Sequence, residues 1–79
     1  DLTGHPVIGV WSYEHGRQTH TRSFSADGFC VLRSEGKQQW RRPFTVVSES
    51  EVSVQGGLRH VIGKTGAMQI EGRYTARKK

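Results

Sequence analysis

Signals for tight turns recur along this chain about every ten residues, and the segments between them alternate apolar and polar side chains. Such alternation is typical of β-strands with one buried face, and no segment of useful length shows a helical period. Asp27-Gly28 and Gly56-Gly57 indicate hairpin turns, because these dipeptides tolerate the positive backbone angles that tight hairpins need. The pattern therefore predicts short antiparallel strands joined by tight turns.

Seven strands are predicted, each bounded by turn residues. They lie at about 7–14, 18–25, 29–34, 38–47, 52–54, 58–63 and 68–77. The predicted fold class is all-β, a small antiparallel meander of about seven strands closing into a barrel or a sandwich. Closure is favoured because it removes exposed strand edges. Pro43 lacks a backbone donor, so we expect it at a strand edge or at a bulge.

With 79 residues, we expect a single small β domain, 1–79, either a mature product or a domain excised from a longer protein. The 33% hydrophobic content is low for a globular domain but suits strands with one solvent-exposed face. The net charge of +5 permits an acidic partner such as nucleic acid without requiring one. A lone cysteine, Cys30, excludes an intrachain disulfide, and the sequence has no stretch typical of a membrane helix.

Three short motifs occur in a suggestive order: GVW at 9–11, FSADG at 24–28 and IEGRY at 70–74. Together they resemble small lipocalin-like, calycin-type bacterial β-barrel modules, whose first strand carries Gly-x-Trp and whose next hairpin carries a Phe-x-x-Asp-Gly turn. The resemblance implies that Trp11 packs across the closed end of a barrel with Arg73 stacked on its indole ring. It also implies small-ligand binding at the open end, although the chain is much shorter than true lipocalins.

Residues that could carry catalysis or bind a metal are few. His15 and His20 would face each other if 15–18 forms a turn, but a zinc site needs three or four ligands, so exposed hairpin histidines are the favoured interpretation. Cys30 lies in an apolar strand and is expected to be buried and structural. GKTG at 63–66 lacks the glycine spacing and following helix of a phosphate loop and is expected to be a hairpin. We therefore predict that the protein is not an enzyme and has no catalytic residue, metal site or cofactor.

The basic and aromatic stretch KQQWRRPF, residues 37–44, is the best candidate for a binding site. An exposed Trp40 could stack on a base or a sugar while neighbouring cations hold phosphate. Trp40 also alternates with Phe44 and Val46, so packing in the core or at a barrel end is the favoured interpretation, with Arg41 pointing outward. The residues predicted for ligand or polyanion binding are Lys37, Trp40, Arg41, Arg42, Arg59 and Lys64.

The favoured function is a non-catalytic small-ligand-binding or accessory β-barrel module of unknown specificity, whose ligand enters opposite Trp11. The alternative is a basic β-barrel that binds nucleic acid or another polyanion, a partner that the charge permits but the pattern does not favour. A hydrolase or metal-dependent enzyme is the least favoured hypothesis, since only the histidine count supports it. The sequence specifies no particular small molecule and no protein partner.

Overall fold

The computed structural model describes residues 2–79. Over this range the chain forms eight antiparallel strands, and the last pairs with the first to close a barrel. In chain order the strands are β1 (Gly9–His15), β2 (Gln18–Phe24), β3 (Phe29–Ser34), β4 (Lys37–Ser48), β5 (Glu51–Val54), β6 (Leu58–Ile62), β7 (Met68–Ile70) and β8 (Tyr74–Lys78). The predicted all-β meander is confirmed, and of its two predicted arrangements the barrel is the one formed. Nothing in the described range forms a helix that could cross a membrane.

The last predicted strand is a hairpin made of β7 and β8. Glu71 and Gly72 have positive φ angles of 54° and 70°, and the amide of Arg73 donates to the carbonyl of Ile70 at 2.9 Å. These are the features of a tight turn with two left-handed residues. Ile70 and Tyr74 then pair across the turn. One predicted strand therefore becomes two, and the barrel has eight strands.

The long strand β4 is shared between two neighbours, and Pro43 lies where it passes from β3 to β5. Of the two alternatives expected at Pro43, the edge position is the one found, because β4 pairs with β3 alone up to Pro43 and with β5 only from Phe44. The bulge is not found there, because the register shifts near β4 fall at Leu32/Arg33 and at Val46/Ser48. The carbonyl of Pro43 accepts a hydrogen bond from the amide of Gln55 at 2.9 Å, so this residue's polar side is turned towards the end of β5. The N–H and C=O of a strand residue point to the same side, so the N–H that proline lacks would also have faced β5. Its absence therefore costs the β3–β4 ladder no hydrogen bond.

One end of the barrel, here called the plugged end, is covered by residues 2–8. Val7 and Trp11 are 1% and 2% exposed, and the indole Nε1 of Trp11 donates to the carbonyl of Val7 at 2.9 Å. The ring of His5 bridges this segment to β4, since its Nε2 lies 2.8 Å from the carbonyl of Ser48. Trp11 is thus a core side chain at a barrel end, as predicted.

The cation on the Trp11 ring is Lys78, so the expectation for Arg73 is wrong. Lys78 pairs with Trp11 in the β1–β8 ladder, and its ammonium lies 5.6 Å from the centre of the indole ring. The same ammonium donates to the carbonyl of Pro6 at 3.0 Å. Gly9 gives the Lys78 stem its space, because a Cβ at Gly9 would lie 2.6 Å from the Lys78 Cε. Arg73 lies in the β7–β8 turn, at the opposite end of the barrel.

That opposite end, here called the hairpin end, carries the β1–β2, β3–β4, β5–β6 and β7–β8 turns. Aromatic rings extend the core towards it. Tyr13 stacks on His20 and on Tyr74, with ring centroids 5.3 and 5.1 Å apart. The two ends therefore differ in chemistry, since a chain segment with an indole closes one and polar aromatic side chains line the other.

Candidate ligand-binding site

A positively charged side chain lies inside the barrel. Alternation along β2 places Arg22 on the inner face beside Phe24, and Arg22 is 5% exposed. Its Nη1 lies 2.9 Å from Nε2 of His60 on β6, and its Nε donates to the hydroxyl of Tyr13 on β1 at 3.3 Å. The guanidinium thus spans the barrel interior and contacts three strands.

The hydrogen bonds of His60 fix which of its ring nitrogens carries the proton. His60 is fully buried, and its Nδ1 lies 2.9 Å from the carbonyl of Leu58, which can only accept. Nδ1 therefore carries the hydrogen, and Nε2 accepts from Arg22. Burial lowers the pKa of His60 from 6.5 to about 4; the hydrogen bond to Leu58 opposes this shift, and the charge of Arg22 adds to it. The neutral ring is therefore the form that faces the guanidinium at neutral pH.

Arg22 has no carboxylate partner within residues 2–79, where the ion pairs are Arg41 with Asp27 and Arg59 with Glu51. Its charge is compensated by neutral acceptors and by aromatic faces. The guanidinium carbon lies 5.7 Å from the centre of the Tyr13 ring and 5.4 Å from that of Trp40. Buried charges in proteins are usually paired or bind a ligand, because desolvation costs several kcal/mol. Arg22 departs from that rule.

The Nη2 nitrogen of Arg22 has no hydrogen-bond partner among the described residues. Every fully buried side-chain nitrogen and oxygen among these residues has a partner, so Nη2 retains some contact with solvent. A largely buried cation with an N–H donor left unpaired is able to bind an anion.

Trp40 lies beside the Arg22 guanidinium, three residues into β4 from the β3–β4 turn. It is half-buried and packed against the core, in agreement with the favoured interpretation. The guanidinium carbon of Arg42 lies 4.7 Å from the Trp40 ring centre, so two arginines contact one indole. Arg42 is half-buried and pairs with Cys30 in the β3–β4 ladder, which places it on the inner side of the strand. The structure thus brings Trp40 and Arg42 together, two of the six predicted binding residues.

Two other predicted binding residues are paired with acids on the outer surface. Arg41 is exposed, lies 3.7 Å from Asp27 and covers the ring of Phe29, with its guanidinium carbon 3.7 Å from the ring centre. Arg59 is exposed and lies 3.1 Å from Glu51. Arg41 points outward, as predicted, and both charges are partly neutralised.

The two predicted lysines lie at opposite ends of the barrel. Lys37 is exposed and begins β4 at the hairpin end, on the same side as Trp40. Lys64 is exposed in the turn 63–66 at the plugged end, which is a hairpin connection as predicted. The six predicted residues therefore do not gather into one patch.

The predicted contact between His15 and His20 is loose, since their ring centroids are 6.3 Å apart at a tilt of 42°. His20 instead pairs with Tyr13 across the ladder, and its Nδ1 lies 2.6 Å from the hydroxyl of Ser34. Across residues 2–79, no group of three His, Cys, Asp or Glu side chains is placed to hold a metal ion. The side chains at this end offer hydrogen bonds and ring faces.

Cys30 is fully buried, as predicted. Burial raises the pKa of its thiol to about 12, against a smaller opposing effect of the Arg22 charge. The thiolate is the nucleophilic form of cysteine, so this side chain is inert at neutral pH.

Comparison of the chain with protein families, with curated proteins and with solved structures finds no match. The site is therefore interpreted from its own chemistry. Arg22 and His60 were not among the predicted site residues, although the alternation of Arg22 with Phe24, and of His60 with Leu58 and Ile62, places both on the inner faces of their strands.

Proposed function

We propose that this chain is a non-catalytic, lipocalin-like β-barrel module that binds a small ligand at the hairpin end, opposite Trp11. The observation that carries the proposal is Arg22, a buried side chain whose Nη2 has no hydrogen-bond partner and whose charge has no carboxylate partner in residues 2–79. Polar groups buried in a concave site are the usual determinants of ligand orientation. The plugged end supports the same direction of entry, because residues 2–8 cover that end of the barrel.

The ligand in this proposal binds at the mouth of the barrel. Large side chains fill the interior, among them the fully buried Phe24, Met68 and Ile70. Interiors of this kind are close-packed and leave little space for a guest molecule. The polar part of a ligand therefore contacts Arg22 and Trp40 while its remainder stays near the solvent.

Polyanion binding is the second candidate. The net charge of +5 and the contact of Arg42 with Trp40 favour it, because cations beside an aromatic ring suit single-stranded nucleic acid. The acidic partners of Arg41 and Arg59 weaken it, since they reduce the positive charge on the outer surface. Binding of this kind falls steeply with added salt, whereas binding of a small ligand at one site depends on salt much less.

The two tryptophan indole N–H groups provide a test by NMR of the uniformly nitrogen-labelled protein. A panel of aromatic fragments that includes benzamide, benzoate and phenyl phosphate is titrated, followed by a short oligothymidylate at low and at high salt. We expect fragments to shift the indole signal of Trp40 and to leave that of Trp11 unchanged, because Trp11 is bonded to Val7 in the plugged end. Fragments that shift neither indole, or shift Trp11 alone, contradict the proposal. Oligothymidylate binding that disappears at high salt, without fragment binding, favours the second candidate.

A further inference from the structure

The unpartnered Nη2 of the Arg22 guanidinium indicates the chemical class of the ligand, an inference that rests on the proposed function. We propose that the hairpin-end site binds an oxyanion, the carboxylate or phosphate group of a small ligand, at Nη2 of Arg22. Three observations carry this assignment: the hydrogen bonds that Arg22 leaves unused, the absence of a carboxylate beside it in residues 2–79, and the second cation on Trp40.

The hydrogen bonds of Arg22 leave its Nη2 without a partner among the described residues. An arginine has five N–H donors in a fixed plane. Arg22 uses its Nε–H towards Tyr13 and one Nη1–H towards His60. Both hydrogens on Nη2 are therefore left to donate. A charged N–H donor of this kind makes strong hydrogen bonds to the oxygens of a carboxylate or a phosphate.

The electrostatic balance of the site favours a negative ligand. Arg22 and Arg42 both contact the indole of Trp40, and no acidic side chain of residues 2–79 forms an ion pair with either. A charge interacts more strongly in a partly buried site than at the surface, because water screens it less. An oxyanion at Nη2 would supply the counter-charge that the barrel itself does not place there.

The neighbouring side chains hold the guanidinium ready for this role. His60 is neutral, so its Nε2 accepts a hydrogen bond and adds no competing positive charge. Tyr13 fixes the Nε side of the fork and is itself stacked between His20 and Tyr74. A donor group held in place in this way loses little conformational freedom on binding. These contacts make Arg22 a binding residue and make His60 and Tyr13 its positioning residues.

A purely structural role for Arg22 is the competing explanation. In that role the guanidinium only links β1, β2 and β6, and water solvates Nη2. The two explanations differ in one measurable property, because a structural arginine gives no preference for an oxyanion over a neutral compound of the same shape. Benzoate and benzamide form such a pair, and phenyl phosphate separates a phosphate from a carboxylate.

The wild-type protein alone provides the first experiment. Benzoate, phenyl phosphate and benzamide are titrated at moderate salt while the Nε–H signal of Arg22 and the indole signal of Trp40 are followed by NMR. A hydrogen bond to a charged group contributes about 1.5–3 kcal/mol, so we expect at least one of the two anions to bind about tenfold more tightly than benzamide or better. Preference for benzoate identifies a carboxylate site and preference for phenyl phosphate a phosphate site, and both outcomes support the inference.

Matched variants assign the preference to Arg22. We expect Arg22→Met to remove the difference between anion and benzamide, and Arg41→Met, the same change on the outer surface beside Asp27, to keep it. Arg22→Lys retains the charge without the planar fork, so it should keep only part of the preference. If Arg22→Met does not fold, because His60 and Tyr13 lose a partner, the wild-type comparison and Arg22→Lys decide the question.

The possible failures are distinguishable. Equal affinity for benzamide and both anions, with the Trp40 indole shifted, overturns the oxyanion inference and leaves the proposed function standing. No shift of Trp40 by any fragment of the panel contradicts the proposed function and the inference together. A persistent anion preference in Arg22→Met also overturns the inference, because another cation would then bind the ligand.

Discussion

Replacing His60 by glutamine should remove a large part of the acid sensitivity of this fold. In the folded chain, burial is the main reason that the pKa of His60 is lowered from 6.5 to about 4. An unfolded chain exposes the ring, whose pKa then returns to its ordinary value near 6.5. Between these two values the unfolded state binds a proton that the folded state does not. Lowering the pH through this window therefore destabilises the fold.

The size of the effect follows from the two pKa values. Relative to neutral pH, proton binding by the unfolded state lowers the free energy of unfolding by about 2 kcal/mol at pH 5 and about 3 kcal/mol at pH 4. That loss is large against a total stability of roughly 5–15 kcal/mol for small proteins. The repulsion between a charged ring and the Arg22 guanidinium 2.9 Å away contributes to the lowered pKa and is therefore already included in this loss.

Urea unfolding at a series of pH values between 7 and 4 measures this loss directly. The wild-type protein is compared with His60→Gln, whose amide oxygen is able to accept the hydrogen bond from Arg22 without titrating. The matched control is His15→Gln, because His15 is exposed at the hairpin end. We expect the wild type and the His15 variant to lose stability together and the His60 variant to lose about 2 kcal/mol less at pH 5. Parallel curves for all three proteins would refute the reasoning, and NMR titration of the His60 ring in the wild type tests the same pKa if His60→Gln does not fold.

Two further predictions concern the core and the plugged end. The Cys30 thiol is fully buried and its pKa is raised to about 12. It should therefore not react with a disulfide reagent at pH 8 in the folded protein but should react fully in urea. Fast reaction in the folded state would contradict the burial argument. Gly9→Ala should lower the free energy of unfolding by roughly 1–3 kcal/mol, because Gly9 has a φ of 138° and an added Cβ would lie 2.6 Å from the Lys78 stem. When Lys78 is also replaced by alanine, the added Cβ no longer meets the Lys78 stem, so urea unfolding should show a smaller loss from Gly9→Ala. An equal loss in that background would mean that backbone strain at Gly9 is the whole cost.

The strand layout was predictable from the sequence because each strand buries one face. The missed turn at Glu71-Gly72 shows the limit of that signal. Ile70 and Tyr74 pair across the turn and are separated by an even number of positions, so inward and outward residues alternate through it as they would along one continuous strand. The dipeptide itself was the better indicator, since Glu35-Gly36 has the same sequence and also has positive φ angles, of 51° and 81°, in the β3–β4 turn.

The candidate site was less predictable than the strands. Alternation placed Arg22 and His60 on the inner faces of β2 and β6, but their contact joins strands that are not neighbours in the sheet. Only closure of the barrel brings those faces together, and a local pattern carries no information about distances across an interior. For the same reason the cation on Trp11 was misassigned, because the β1–β8 register that selects Lys78 depends on closure.

The order of the strands has a consequence for how the chain folds. Within residues 2–79, every strand pairing except that of β1 with β8 joins neighbours along the sequence. Local pairings close short loops and form quickly, so hairpins should assemble early and extend one another. The β1–β8 contact, in which Trp11 pairs with Lys78 and Ser12 with Arg77, has to join segments far apart in the chain. The largest single cost of loop closure therefore falls on that seam. We expect its closure to limit the rate of folding, so changes in its side chains should alter that rate more than changes in any single hairpin.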